Sequence, residues 1–155
     1  MRRLLLSSLL LLAACGQAQQ ESGSSSSPAA APTPTAAEMQ ALVAQLPAPY
    51  NQADYQDGRR VFAQCRSCHT TAEGGGNRVG PNLHGVIGRR VGTAPGFTYS
   101  QPVANAGFTW DAAHLDHWIE NPQADIPGTR MGFAGLRDAD QRRDVIAYLM
   151  VETAH

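Results

Sequence analysis

Cys65-Arg66-Ser67-Cys68-His69 constrains this chain more than any other stretch. Two thiols three positions apart can reach the two vinyl groups along one edge of a haem and form thioether bonds. The spacing is that of covalent c-type haem attachment. His69 follows at once and offers an imidazole to the iron from the same short turn; neutral imidazole is the usual protein ligand of haem iron. Two other readings compete. A thioredoxin-like redox pair would sit in a βαβ pattern, and none surrounds the motif. A zinc site would need a second pair of ligands, and no Cys follows residue 68.

The third thiol, Cys15, needs its own account. Met1-Arg2-Arg3 is a short basic start, and the apolar run Leu4–Leu12 is broken only by Ser7 and Ser8. The run is too short to span a bilayer and predicts a signal peptide over 1–14. Leu12-Ala13-Ala14-Cys15 resembles the bacterial lipobox, which predicts lipid on Cys15 and a lipoprotein held at the membrane by two or more acyl chains. The alternative is an ordinary cleaved signal with a chance Cys. The expected location is the bacterial cell envelope, with the folded part on the periplasmic side. Residues 15–50 read as the lipidated Cys followed by a disordered linker. Ser22–Ser27 is nearly all Ser, and Pro28–Ala37 is Ala, Pro and Thr. Such composition buries too little apolar surface to offset ordering. Ala36–Leu46 is expected to form no more than a transient helical turn or two, ended by Pro47 and Pro49.

The folded domain is expected over 51–155. Asp54–Gln64 reads as a helix carrying Val61 and Phe62, with Gly58 inside it, a costly residue there unless another backbone approaches closely. Asp111–Asn121 reads as a helix with Leu115, Trp118 and Ile119 inward, stopped by Pro122. Asp138–Thr153 is the last, capped by Asp138, with Val145, Ile146, Tyr148 and Leu149 as its buried stripe. Residues 70–96 are loop-rich, with Gly74-Gly75-Gly76, Gly80-Pro81 and Pro95-Gly96. Nothing reads as a strand. The class is all-α, helices and loops wrapped around one haem that supplies the missing apolar mass.

An iron that transfers electrons without binding small molecules needs a second axial ligand. Met131 is the candidate. It lies in the Pro/Gly segment 126–133, whereas Met1 is in the signal, Met39 in the linker and Met150 on the last helix. A thioether opposite a His raises the reduction potential; the duller role of any Met is core filler.

Further motifs follow in order: Gly58 and Phe62; Gly80-Pro81-Asn82-Leu83-His84-Gly85; Gly88-Arg89; Gly92-x-x-Pro95-Gly96-Phe97-x-Tyr99; Thr109-Trp110; Glu120-Asn121-Pro122; Ile126-Pro127-Gly128-Thr129-Arg130-Met131-x-Phe133; Ile146-Ala147-Tyr148-Leu149. Across nearly all of 54–150 the chain resembles the class I cytochromes c, of the mitochondrial cytochrome c and bacterial cytochrome c2 type, here in a membrane-anchored lipoprotein form. The resemblance implies the class I cytochrome c fold and one haem c. It implies that the Pro81 carbonyl accepts the His69 Nδ1–H and fixes the ring. Arg89, Tyr99 and Trp110 would meet one haem propionate, Thr129 the other, and Phe133 would cover the exposed edge. Gly58 would let the first helix cross the last against Tyr148. Two departures alter hydrogen bonding near the iron: Trp118 where relatives often carry Tyr, and Val103 where they often carry Asn.

The function so implied is that of a one-electron carrier rather than an enzyme, shuttling between membrane-bound respiratory or photosynthetic complexes. Its partners would be a quinol–cytochrome c oxidoreductase and a terminal oxidase or reaction centre. The alternative is a haem-based peroxidase or a small-gas-binding protein. A dihaem peroxidase would need a second C-x-x-C-H, and a gas sensor an open sixth position. No Ser/His/acid or paired-carboxylate arrangement stands out. His84, His114, His117 and His155 read as surface residues. The basic ring around the haem edge is thin, with Arg66, Arg78, Arg130 and Arg137 beside Gln123, Asp125 and Asp138. From residue 51 onward ten Arg stand against eleven Asp and Glu, so there is no basic field for nucleic acid.

Overall fold

Residues 33–154 are described by a computed structural model. The expectations for the signal peptide, for lipid on Cys15, for the linker over 16–32 and for His155 lie outside them.

Three aspartates start the main helices where the sequence places them. Asp54 caps α2 (Tyr55–Phe62) by accepting the Asp57 N–H at 2.8 Å. Asp111 caps α4 (Ala112–Glu120) through the His114 N–H at 2.8 Å. Asp138 caps α6 (Ala139–Glu152) through the Gln141 N–H at 3.0 Å. Each side chain satisfies a donor that the first helical turn leaves without a partner. Two four-residue helices that the sequence reading passed over fill the loops: α3 (Gln101–Ala104) and α5 (Pro122–Asp125), each with Pro in its first turn. No strand occurs among the described residues, only an isolated antiparallel bridge between Arg90 and Thr109.

The first helix corrects the expected boundary. The linker was expected to run to residue 50, yet α1 (Ala36–Val43) is a formed helix that belongs to the domain. Thr35 and Glu38 close it with a reciprocal capping box. Met39 and Val43, four apart, are buried in the main core. Gln40 bridges to the chain beyond: its Nε2 donates to the Ala53 carbonyl at 2.9 Å, and its Oε1 accepts the Tyr55 N–H at 2.8 Å. A short 3₁₀ turn at Tyr50–Gln52 completes the link. The physical reason is burial. A helix of about two turns is marginal alone in water, but it persists when its apolar face is covered.

α2 crosses α6 at Gly58, and the aromatic rings stack beside the crossing. Tyr148 lies with its ring centroid 5.1 Å from Phe62 and 5.5 Å from Tyr55. Tyr55 donates its hydroxyl hydrogen to Glu152 at the far end of α6. This frame places the turn that follows α2 against the rest of the core. Among the described residues no helix is long and apolar enough to cross a membrane.

Candidate haem site

The Cys65–His69 turn continues directly from the end of α2. The N–H groups of Cys65 and Arg66 both donate to the Phe62 carbonyl, and those of Cys68 and His69 to the Cys65 carbonyl, all at 2.8–3.1 Å. This winding presents both thiols free rather than paired with each other. Burial pushes the Cys65 thiol up to about 11, with a smaller contribution from Cys68, so it stays protonated at neutral pH.

His69 has one ring nitrogen committed. Its Nδ1 lies 2.8 Å from the Pro81 carbonyl oxygen, which can only accept, so Nδ1 carries the hydrogen and Nε2 keeps its lone pair. Burial lowers the imidazole below its ordinary range, more than the Pro81 bond raises it. The ring is therefore neutral and oriented, as a metal ligand requires. It packs directly on Gly80, where an ideal Cβ would stand 2.4 Å from Cε1. Only a residue without a side chain fits there. Asn82 braces the same loop, donating to Thr70 Oγ1 at 2.7 Å and to the Ala72 carbonyl at 3.0 Å.

The other expected residues gather around the apolar core. Arg89 is half-buried, and its two terminal nitrogens donate to the carbonyls of His84 at 3.0 Å and Asn82 at 2.9 Å. The Trp110 N–H donates to the Arg89 carbonyl at 2.9 Å and the Gly88 N–H to the Trp110 carbonyl at 2.8 Å; the buried Trp110 ring lies 5.6 Å from that of Trp118. The Tyr99 hydroxyl accepts the Ala94 N–H at 3.3 Å. Thr129 is buried, and its hydroxyl accepts the Met131 N–H at 3.2 Å. Met131 and Phe133 are half-buried against the core that holds Leu115, Trp118, Ile119 and Leu136. Of the other histidines, His117 is exposed, His84 is half-buried, and His114, its side chain 45% exposed, stacks on Phe108 at 4.4 Å. Among the described residues no three His, Cys, Asp or Glu side chains gather as a metal cluster.

The sequence reading missed Ser100. Among the described residues its hydroxyl is a buried side-chain polar atom that lacks a partner. Such a group costs about 1–3 kcal/mol unless something bonds it. Ser100 is the N-cap of α3 but makes no capping bond there, so its hydroxyl is free to bond a haem carboxylate that came within reach. A hydroxyl directly after the Tyr of the Gly96-Phe97-x-Tyr99 motif was the available signal. Two free thiols, a neutral oriented imidazole, an apolar wall and an orphaned hydroxyl together fit a haem. A separate groove of about 760 Å³ has His69 at one edge but runs along Met39, Tyr55, Phe62 and Tyr148.

An all-helical domain with this attachment turn defines a c-type cytochrome class. Comparison with known proteins gives the family. The cytochrome c family model matches residues 55–151, more than half of the chain. The cytochrome c2 of Rhodomicrobium vannielii is 44% identical over 103 residues, covering 66% of this chain and 82% of that protein. The cytochrome c of Kluyveromyces lactis is 40% identical over 106 residues, covering 68% and 96%. Among solved structures, cytochrome cH from Methylobacterium extorquens superposes with a TM-score of 0.59 at 40% identity, covering 63% of this chain and 97% of that one. The chain belongs to the cytochrome c family, whose members are electron carriers with covalently bound haem c. Helix α1 precedes the matched region.

Proposed function

We propose that this chain is a one-electron carrier whose single haem c is held by thioethers at Cys65 and Cys68, with His69 and Met131 as axial ligands. The observation that carries this reading is the bond between His69 Nδ1 and the Pro81 carbonyl, which leaves Nε2 as the free donor of a neutral ring. When bound, the haem supplies an iron that gains and loses one electron. The chain's residues do the rest. Pro81 fixes the imidazole, and Thr129 holds the Met131 backbone. Arg89, Tyr99, Trp110 and Ser100 would offer polar groups to the propionates, and Phe133 would cover the edge.

The partners are proposed to be a quinol–cytochrome c oxidoreductase and a terminal oxidase or photosynthetic reaction centre. Lipid on Cys15, after removal of residues 1–14, is proposed to keep the domain at the membrane on the periplasmic side. Attachment is tested by denaturing the protein and extracting with acidified organic solvent. Haem should stay with the polypeptide; free haem in the organic phase would refute the thioethers. Ligation is tested by the weak near-infrared Met-to-iron band of the oxidised protein. Met131→Ala should abolish that band and open the iron to cyanide, and an unchanged band would mean another ligand.

A further inference from the structure

We infer that Arg142 is a positioning residue for Met131, anchoring the C-terminal end of the ligand loop to α4. The inference rests on the proposed ligation by Met131. Arg142 stands in the first turn of α6, and its side chain is only 9% exposed. Its donors are shared between two elements. On α4, Nε donates to Asp116 Oδ1 at 2.8 Å, Nη2 reaches Oδ2 at 3.5 Å, and Nη1 lies 3.6 Å from Glu120 Oε1. On the loop, Nη1 donates to the carbonyls of Leu136 at 3.0 Å and Arg137 at 2.9 Å. A planar guanidinium can meet a carboxylate and two carbonyls at once, whereas an ammonium cannot reproduce that fork.

The loop meets α4 at the same place. The Leu136 N–H donates to the Ile119 carbonyl at 2.9 Å, and the Leu136 side chain is buried. Gly135 takes φ +97, and an ideal Cβ there would stand 2.1 Å from the Glu120 carbonyl oxygen. The backbone therefore lies directly on the last turn of α4. On the other side of Met131, the Thr129 hydroxyl accepts the Met131 N–H, and Gln123 Nε2 donates to the Thr129 carbonyl at 3.0 Å. Met131 thus hangs between two fixed points, with Gly132, Phe133 and Ala134 between it and the second. Releasing that second point lengthens the free span and lets the thioether leave the iron more often, a local opening rather than global unfolding.

The test uses the full-length haem-loaded protein. In Arg142→Met, which loses both bonds to the loop carbonyls, cyanide should bind the oxidised iron at least about tenfold faster, and the Leu136 amide should exchange at least about tenfold faster. The Phe62 amide on α2 should accelerate much less. Asp116→Asn, which keeps the carbonyl bonds, should give a smaller change of the same sign. Arg142→Lys should behave like Arg142→Met and serves if that variant does not fold. Unchanged cyanide binding in Arg142→Met, or equal acceleration at Leu136 and Phe62, would overturn the positioning role. A wild-type protein lacking the near-infrared band would refute Met131 ligation and this role with it. A normal wild-type band beside an unaffected variant would refute this role alone.

Discussion

Gly58 lies against Asp144 so closely that an ideal Cβ on it would stand 2.2 Å from the Asp144 carbonyl oxygen and 2.8 Å from Tyr148 Cβ. The contact sets how near α2 comes to α6, and the Cys65–His69 turn begins only three residues after Phe62, the end of α2. In a free helix Gly58→Ala would gain about 1 kcal/mol. At this crossing the added methyl meets backbone, which cannot step aside as a flexible side chain can. Gly58→Ala should therefore lower stability by about 2–3 kcal/mol. Denaturant unfolding followed by far-ultraviolet circular dichroism checks this. A variant as stable as the parent would show that the helices can spread freely.

Helix α1 should be part of the folding unit. A chain beginning at Thr33 should unfold in one transition, and one beginning at Asn51 should be less stable by about 2–5 kcal/mol, from exposing what Met39 and Val43 cover. Gln40→Ala should cost about 1 kcal/mol, since it breaks bonds to both Ala53 and Tyr55. Coincident denaturation curves for the two truncations would remove α1 from the domain.

Alkaline stability should depend on Tyr148. Burial pushes its hydroxyl up to about 12, with a smaller push from Glu152. An unfolded Tyr ionises near 10. The folded value lies above the unfolded one, so the stabilisation is complete below about pH 10 and disappears as pH climbs toward 12. Burial also raises neighbouring Tyr55, which donates to Glu152. Tyr148→Phe has nothing to ionise at that position, so its alkaline unfolding midpoint should move to higher pH. A midpoint that stays put or falls would show that Tyr148 does not drive the transition.

The proposed anchor predicts a kinetic difference. The nearly balanced charge of the domain leaves little long-range steering, which elsewhere raises association rates by about one to three orders of magnitude. Confinement near a membrane raises the effective concentration instead, to about millimolar. A form starting at Thr33 should keep the spectrum of the full-length protein. It should nonetheless exchange electrons with membrane complexes much more slowly, with a rate that varies little with salt. Equal rates for both forms at matched bulk concentration, or a steep salt dependence, would rule out this role for the anchor.

What could be read from the sequence is whatever is decided within a few residues. Cys65, Cys68 and His69 share one turn, so their spacing alone carries the attachment chemistry. Asp54, Asp111 and Asp138 each bond an N–H three residues on, so the starts of α2, α4 and α6 were visible as caps. The bond from His69 to Pro81 spans twelve residues and came from the family resemblance, and the structure has it at 2.8 Å. The capping box at Thr35 and Glu38 is a local pattern too, but the sequence reading passed over it among the surrounding Ala, Pro and Thr.

What only the tertiary structure decided is which of these local pieces find something to lie against. α1 holds because Met39 and Val43 meet α2 and α6, a contact that composition does not encode. Ser100 became noticeable because its hydroxyl is enclosed without a partner, which is a property of burial and not of residue type. In the sequence Arg142 is only one of the ten Arg in the domain's charge balance. It became an anchor because the chain brings Asp116, from 26 residues earlier, and the Leu136 carbonyl to the same guanidinium. Hydrogen bonds and burial depend on distance in space, and for these residues the distance along the chain says nothing about it.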